Sequence, residues 1–276
     1  QVDPLYNVMP DSAQRQPRRA NRYTFSGNNP LRYVDPDGRE IYWVIRTNSR
    51  GIDIWSAQTR AKQIRESKNF DPKKDIVLEL YVPDLGKLES TVEFLVSQIA
   101  HQYGYTREVF ITGHAAPGDG PRGDVRTSGP YDVKDSAQMT KAGWAAIDFN
   151  VAPDGSAQFV AVGCRAFPWL RKTLTEAQPG FGWAIGHEGW SYPSRSPYVR
   201  SWSDEARDAP VFMVGTTARS DYQRERDSAK WDYLGTDTTE PMYAVSPSGE
   251  LGRAYVDHYG DTTIKSSKDF LQHFGQ

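Results

Sequence analysis

The sequence predicts an α/β fold, a mostly parallel sheet flanked by helices and preceded by a short irregular tail. Two observations lead there. Short apolar runs of β type alternate with stretches whose apolar residues recur at helical spacing, the pattern of strands joined by helices. The first 38 residues lack that alternation. There "QRQPRRANR" is basic and poor in apolar side chains, and "SGNNP" and "DPDG" are turn sequences. Such a stretch can hardly build a core by itself.

The elements follow in order. "IYWVIRT" (41–47) reads as a strand, and so does "IVLELYV" (76–82), which is almost continuously apolar, as in a sheet covered on both faces. Leu88, Val92, Leu95, Val96 and Ile99 then keep helical spacing. "EVFITG" (108–113) and "QFVAVG" (158–163) are the next strands. A short helix, "PWLRKTLTEA" (168–177), opens with a proline, whose missing N–H costs little in a first turn. "FGWAIG" (181–186), "VFMVGT" (211–216) and "MYAV" (242–245) complete the strand set. Nothing repeats internally, and no tract is of low complexity.

Composition narrows the function. The 276 residues allow one large domain, or a domain with an appendage. Lys and Arg number 33 against 35 Asp and Glu, a net charge of −2, so nothing draws the whole chain toward nucleic acid or anionic lipid. No basic–aromatic stripe suggests a nuclease. No apolar run approaches the roughly 18 residues needed to cross a bilayer, and the opening "QVDPLYNVMPDS" has neither the basic lead nor the apolar stretch of a signal peptide. A first residue of glutamine rather than methionine leads us to expect a piece of a longer protein. The single cysteine cannot form an internal disulfide.

That cysteine, Cys164, and one of the five histidines, His114, each stand directly behind a glycine at the end of a β-like run. In open α/β sheets reactive groups gather at the carboxyl ends of strands, where loops converge on a crevice. If the two strands are neighbours, imidazole and sulfur share one cleft. Histidine can take the proton of the thiol and later deliver one to a leaving amine. Gly163 would let a substrate backbone approach the sulfur, and Gly113 would permit a turn that a side chain obstructs. Main-chain N–H groups of the turns could hold an oxyanion. The competing reading is that Cys164 is a small buried hydrophobe.

Other motifs carry less. "GDGPRG" (118–123) matches G-x-G-x-x-G, but a dinucleotide loop must open a helix, and Pro121 with "DVRTSGPYD" argues against one. His187 and Glu188 could line a specificity pocket in which Glu188 attracts a basic side chain; a solvated loop pair is the alternative. His258 and His273 lack metal-ligand spacing, so no metal site is expected, and no cofactor is called for. "RSWSDEARDAP" and "RSDYQRERDSAKWDY" read as solvated segments or as a surface for a protein partner.

Two resemblances sharpen this. "NRYTFSGNNPLRYVDPDGRE" resembles the C-terminal end of an Rhs-repeat core, whose tyrosine-rich shell closes on an "NNP…DP-x-G" signature just before a variable toxin domain. It covers residues 1–39, and an ordinary β-turn at "DPDG" is the alternative. Members of that family cut themselves after the signature with aspartates of DP motifs. The resemblance therefore implies Asp35, with Asp3 as partner, for autoprocessing, although Arg39 stands where the family usually has leucine. Residues 40–276 would then be the effector domain. Strand–Gly–His followed by strand–Gly–Cys resembles the caspase-like cysteine peptidases of the gingipain and RTX-toxin type, over residues 76–190. Alanine follows His114 where that family usually has glycine.

Together the resemblances imply a secreted toxin effector delivered to a target-cell cytoplasm, acting as a cysteine endopeptidase on proteins there. His114 would be the general base and acid and Cys164 the nucleophile. Its partners would be the protein substrate, the Rhs shell of the parent protein and an immunity protein, with neither nucleic acid nor membrane. The alternatives are an ADP-ribosyltransferase, using Arg46 with Glu240 or Glu250, and a non-catalytic binding domain on an Rhs carrier.

Overall fold

A computed structural model describes residues 38–116, 120–125, 137–187, 192–193, 200–201, 211–212, 216–217, 242–256 and 262–266. Asp3, Asp35, Glu188, Glu240, His258 and His273 lie outside them, as do the mixed-charge segments 219–233 and, apart from Arg200 and Ser201, 200–210.

Strand β1 (Glu40–Arg46) leads through helix α1 (Gly51–Glu66) to β2 (Ile76–Tyr81), and through α2 (Leu88–Tyr103) to β3 (Tyr105–Thr112). A narrow ribbon, β4 (Ala115–Ala116) and β5 (Gly120–Pro121), follows, then α3 (Lys141–Ala146) and β6 (Gln158–Val162). Next come α4 (Ala166–Trp169), a π-helical turn (Leu170–Leu174) and α5 (Thr175–Ala177), unbroken in sequence, and β7 (Trp183–Gly186). After β8 (Tyr192–Pro193), β9 (Arg200–Ser201), β10 (Val211–Phe212) and β11 (Thr216–Thr217), the chain ends in β12 (Met242–Val245), β13 (Leu251–Val256) and β14 (Thr262–Ser266).

Eight strands form the main sheet in the order β14-β13-β12-β7-β6-β3-β1-β2. From β2 to β7 the pairing is parallel; β12, β13 and β14 add antiparallel to that body. The expected α/β class with a mostly parallel sheet is therefore present. The run 76–82 is covered on both faces as expected, with Ile76, Leu78 and Leu80 packing on one and Val77 on the other, but β2 is the sheet's edge, pairs with β1 alone and is only partly buried. One element expectation changes. The run 211–216 is not one strand of the sheet, because β10 pairs with β9 and β11 with β8 in separate ribbons.

Strand alternation sorts the core onto two faces. Ile41, Trp43, Ile45, Val109, Ile111, Phe159 and Ala161 point to one side, against Leu88, Val92 and Val96 of α2, Trp144 of α3, and Phe167, Trp169 and Leu170. The rings of Trp144, Phe149, Phe159, Trp169 and Phe181 meet edge to face there. Tyr42, Val44, Phe110, Val160 and Val162 point the other way, against Ala57, Ala61 and Ile64 of α1. Helix α2 stops at Gly104, whose φ of 68° suits glycine and lets the chain turn directly into β3.

This layout creates a switch point. From β1 the chain crosses to β2 by a helix on one face, then returns past β1 to β3 by a helix on the other. The connections leaving β1 and β3 therefore run to opposite sides at the carboxyl ends of these strands, the position at which open α/β sheets commonly hold their ligands.

Candidate active site

His114 stands at that switch point. The ladder of β3 and β6 pairs Thr112 with Val162, and the Gly113 N–H extends it by donating to the Val162 carbonyl at 3.3 Å. Two residues past the paired positions, His114 and Cys164 leave adjacent parallel strands at the same level, where backbones run roughly 5 Å apart. The strands predicted to be neighbours are neighbours. Both residues are partly exposed, and Cys164 is unbridged, so it is not a core hydrophobe.

The two glycines serve this convergence. A Cβ on Gly163 would lie 2.9 Å from the Gly113 carbonyl oxygen and 3.0 Å from the Ala115 methyl. One on Gly113 would fall 1.9 Å from Thr47 Oγ1. The space expected to admit substrate beside these glycines is thus taken up by loop-to-loop packing, and Gly113 has no positive φ. After Cys164 the chain turns sharply. Arg165 is in the left-handed region, φ 52° and ψ 38°, an uncommon and strained position for a residue with a side chain. The turn places Cys164 between the end of β6 and the first turn of α4.

A peptide N–H is also available. The His114 carbonyl accepts the Arg122 N–H at 2.8 Å, and Ala115 pairs with Pro121. Antiparallel ladders alternate bonded and non-bonded pairs, so the Ala115 N–H points away from β5. Its nitrogen is 3.8 Å from where a Gly163 Cβ would stand. Alanine in place of glycine at 115 leaves that group beside Gly163, one residue before Cys164.

The loop after β1 supplies polar support. Asn48 is buried; its Oδ1 accepts the His114 N–H at 2.5 Å, and its Nδ2 donates to Asp124 Oδ1 at 2.7 Å. Asp124 Oδ2 accepts from the Ser49 N–H at 2.6 Å and the Tyr81 hydroxyl at 2.8 Å. Thr47 Oγ1 donates to the Arg122 carbonyl at 2.5 Å, and the Arg46 guanidinium lies 3.9 Å above the Tyr81 ring.

These surroundings set the charges. Burial, then the positive charges of Arg50 and Arg122, hold the His114 pKa below the ordinary histidine value. The imidazole is therefore neutral near pH 7 and free to accept a proton. At Asp124, burial pushes the carboxyl up, but hydrogen bonds from Asn48, Tyr81 and Ser49 outweigh it and bring the pKa to about 2. Asp53, buried in the first turn of α1, is raised to about 6 by burial, against the pull of Arg50. His187, beyond β7, is fully enclosed and lowered to about 4 by burial alone. It lines the core rather than a solvent-reached pocket, and its carbonyl accepts the Phe167 N–H at 2.8 Å.

Other motifs part ways. Gly120 and Pro121 of "GDGPRG" form β5 instead of opening a helix, which removes the dinucleotide-loop geometry. Arg46 ends β1, whereas Glu250 sits exposed at the opposite end of the sheet, before β13, five strand spacings away or roughly 24 Å. Those two residues cannot share a site. Among the described residues, no group of three or more His, Cys, Asp or Glu could hold a metal, and no helix is long and apolar enough to cross a membrane. Sequence reasoning passed over Asn48, Asp53 and Asp124. The available signal was "TNSRGID", a polar turn between a strand and a helix. No protein-family model, curated protein or solved structure matches the chain.

Proposed function

We propose that residues 40–276 are a cysteine endopeptidase domain of caspase-like type, and that residues 1–39 are the end of an Rhs-type core that carries it as a secreted toxin effector. One observation carries the peptidase reading: β3 and β6 pair in parallel with Thr112 opposite Val162, and His114 and Cys164 each follow two residues beyond that rung. Neutral His114 takes the thiol proton, and the thiolate attacks a peptide carbonyl. In this reading the Ala115 N–H stabilises the resulting oxyanion. The imidazolium then gives its proton to the leaving amine. Water, deprotonated by His114, splits the acyl-enzyme and restores both groups. The reducing cytosol of a target cell keeps the thiol usable, and an immunity protein would protect the producer.

Cys164→Ala tests the reading. The variant is expected to melt at an unchanged temperature, yet to lose digestion of unfolded casein and toxicity on expression inside a cell. Undiminished digestion or toxicity would sink the peptidase assignment. The separation of Arg46 from Glu250 removes that pair from the transferase reading.

A further inference from the structure

The peptidase reading leaves open what holds the imidazole in place. We propose that Asn48 is the positioning residue of the site, fixing the His114 peptide through its side-chain oxygen while Asp124 fixes its amide group. The inference rests on the reading of His114 and Cys164 as a pair.

The ladder shows why a side chain is needed. His114 and Arg122 face each other across the ribbon, and a bonded antiparallel pair exchanges two hydrogen bonds. Only one is made, from the Arg122 N–H to the His114 carbonyl. The Arg122 carbonyl is instead occupied by Thr47 Oγ1, and the His114 N–H turns to Asn48 Oδ1. Two consecutive residues of the β1 loop therefore replace the missing bond, and the path of residues 113–115 depends on them.

The Asn48 amide has one orientation. A carboxylate only accepts hydrogen bonds, so Asp124 must face the NH2 group and the oxygen must face His114. Asp124 stays charged because Ser49 and Tyr81 also donate to it. Asn48 is 3% exposed although Ser49 and Arg50 beside it are exposed, so water cannot substitute for these bonds. Losing Oδ1 frees the His114 peptide to shift, and a displacement of about 1 Å at a reacting group can cost about a hundredfold in rate.

Alkylation of Cys164 by iodoacetamide, followed by mass spectrometry across the neutral pH range in the full chain, reads the pairing directly. His114→Ala is expected to slow alkylation near pH 7 and displace its pH profile. Asn48→Ala is expected to displace the profile in the same sense, and the double variant to add nothing further. The charges acting on His114, those of Arg50 and Arg122, are unchanged by Asn48→Ala.

The reciprocal exchange, Asn48→Asp with Asp124→Asn, keeps an acceptor for His114 and a donor–acceptor pair behind it. In the exchanged chain His114→Ala is expected to displace the profile again, as it no longer does in Asn48→Ala, which guards against simple misfolding of Asn48→Ala. A profile unmoved by Asn48→Ala, or one that His114→Ala leaves unmoved in the exchanged chain, overturns the proposal while the pairing stands. A profile unmoved by His114→Ala overturns the pairing itself, and the role of Asn48 with it.

Discussion

Two buried ionisable side chains at the carboxyl ends of the strands pull stability in opposite directions with pH. His187 is held neutral by burial, its pKa lowered from 6.5 to about 4. Its unfolded form takes up a proton first, so stability is complete above pH 6.5 and drains as pH falls toward 4, on the order of 3 kcal/mol in all. Asp53 has the reverse sign. Its pKa is raised from 3.8 to about 6, so its contribution is present below 3.8 and lost as pH rises through 6. The two windows overlap and partly cancel. Thermal melts over pH 4–7 are expected to show Asp53→Asn more stable than the unsubstituted chain at pH 7, with a steeper fall toward acid. A variant no more stable at pH 7 would contradict the buried, raised carboxyl. Neither behaviour was legible in the sequence. Asp53 is one of 35 acidic residues, and its burial depends on what packs over the first turn of α1.

At the scale of elements, α1 is the piece that sequence periodicity misses, and the reason is chemical. A helix announces itself by an apolar stripe. In α1 the buried positions include Asp53, Ser56, Thr59, Arg60 and Gln63 beside Ala57, Ala61 and Ile64, so polar and apolar residues share the inward side. What fastens it is an ion pair. Arg60 Nε donates to Glu108 Oε1 at 2.7 Å and its NH2 group to Oε2, joining α1 to β3 with both side chains about 5% exposed. Removing one partner strands a buried charge. Glu108→Ala is expected to cost about 3–5 kcal/mol in denaturant unfolding, whereas replacing both residues with apolar ones of similar volume should cost far less. Equal losses from the single and double changes would show that the charges are not what matters. By contrast α2, with Leu88, Val92 and Val96 on one stripe and a glycine stop, was legible at once.

Across the whole molecule, the entry into β1 and the candidate site lie at opposite ends of the sheet's strands. The Arg39 guanidinium donates to the Gln102 carbonyl at 2.9 Å, and the Glu40 N–H to Asp75 Oδ1 at 2.9 Å, so the chain is pinned where it enters β1. The seven residues of β1 span roughly 20 Å before the level of His114 and Cys164 is reached. Cys164 therefore cannot cut its own chain at the Gly38–Arg39 junction while β1 is in place. Any cut there is expected to proceed equally in the Cys164→Ala chain, seen as the same fragment by mass spectrometry. A dilution-independent cut that disappears only in that variant would refute the geometry.

Apolar spacing and the glycines at strand ends determined the strands, the long helix and the positions of His114 and Cys164 just past two of those strands, because those are properties of single short segments. Strand order, the edge position of β2, the concealed helix α1 and the polar clasp of Asn48 and Asp124 were decided only in the tertiary structure. Hydrogen bonding there joins residues as far as 76 positions apart in the chain, and no local pattern of side chains encodes which of them will meet.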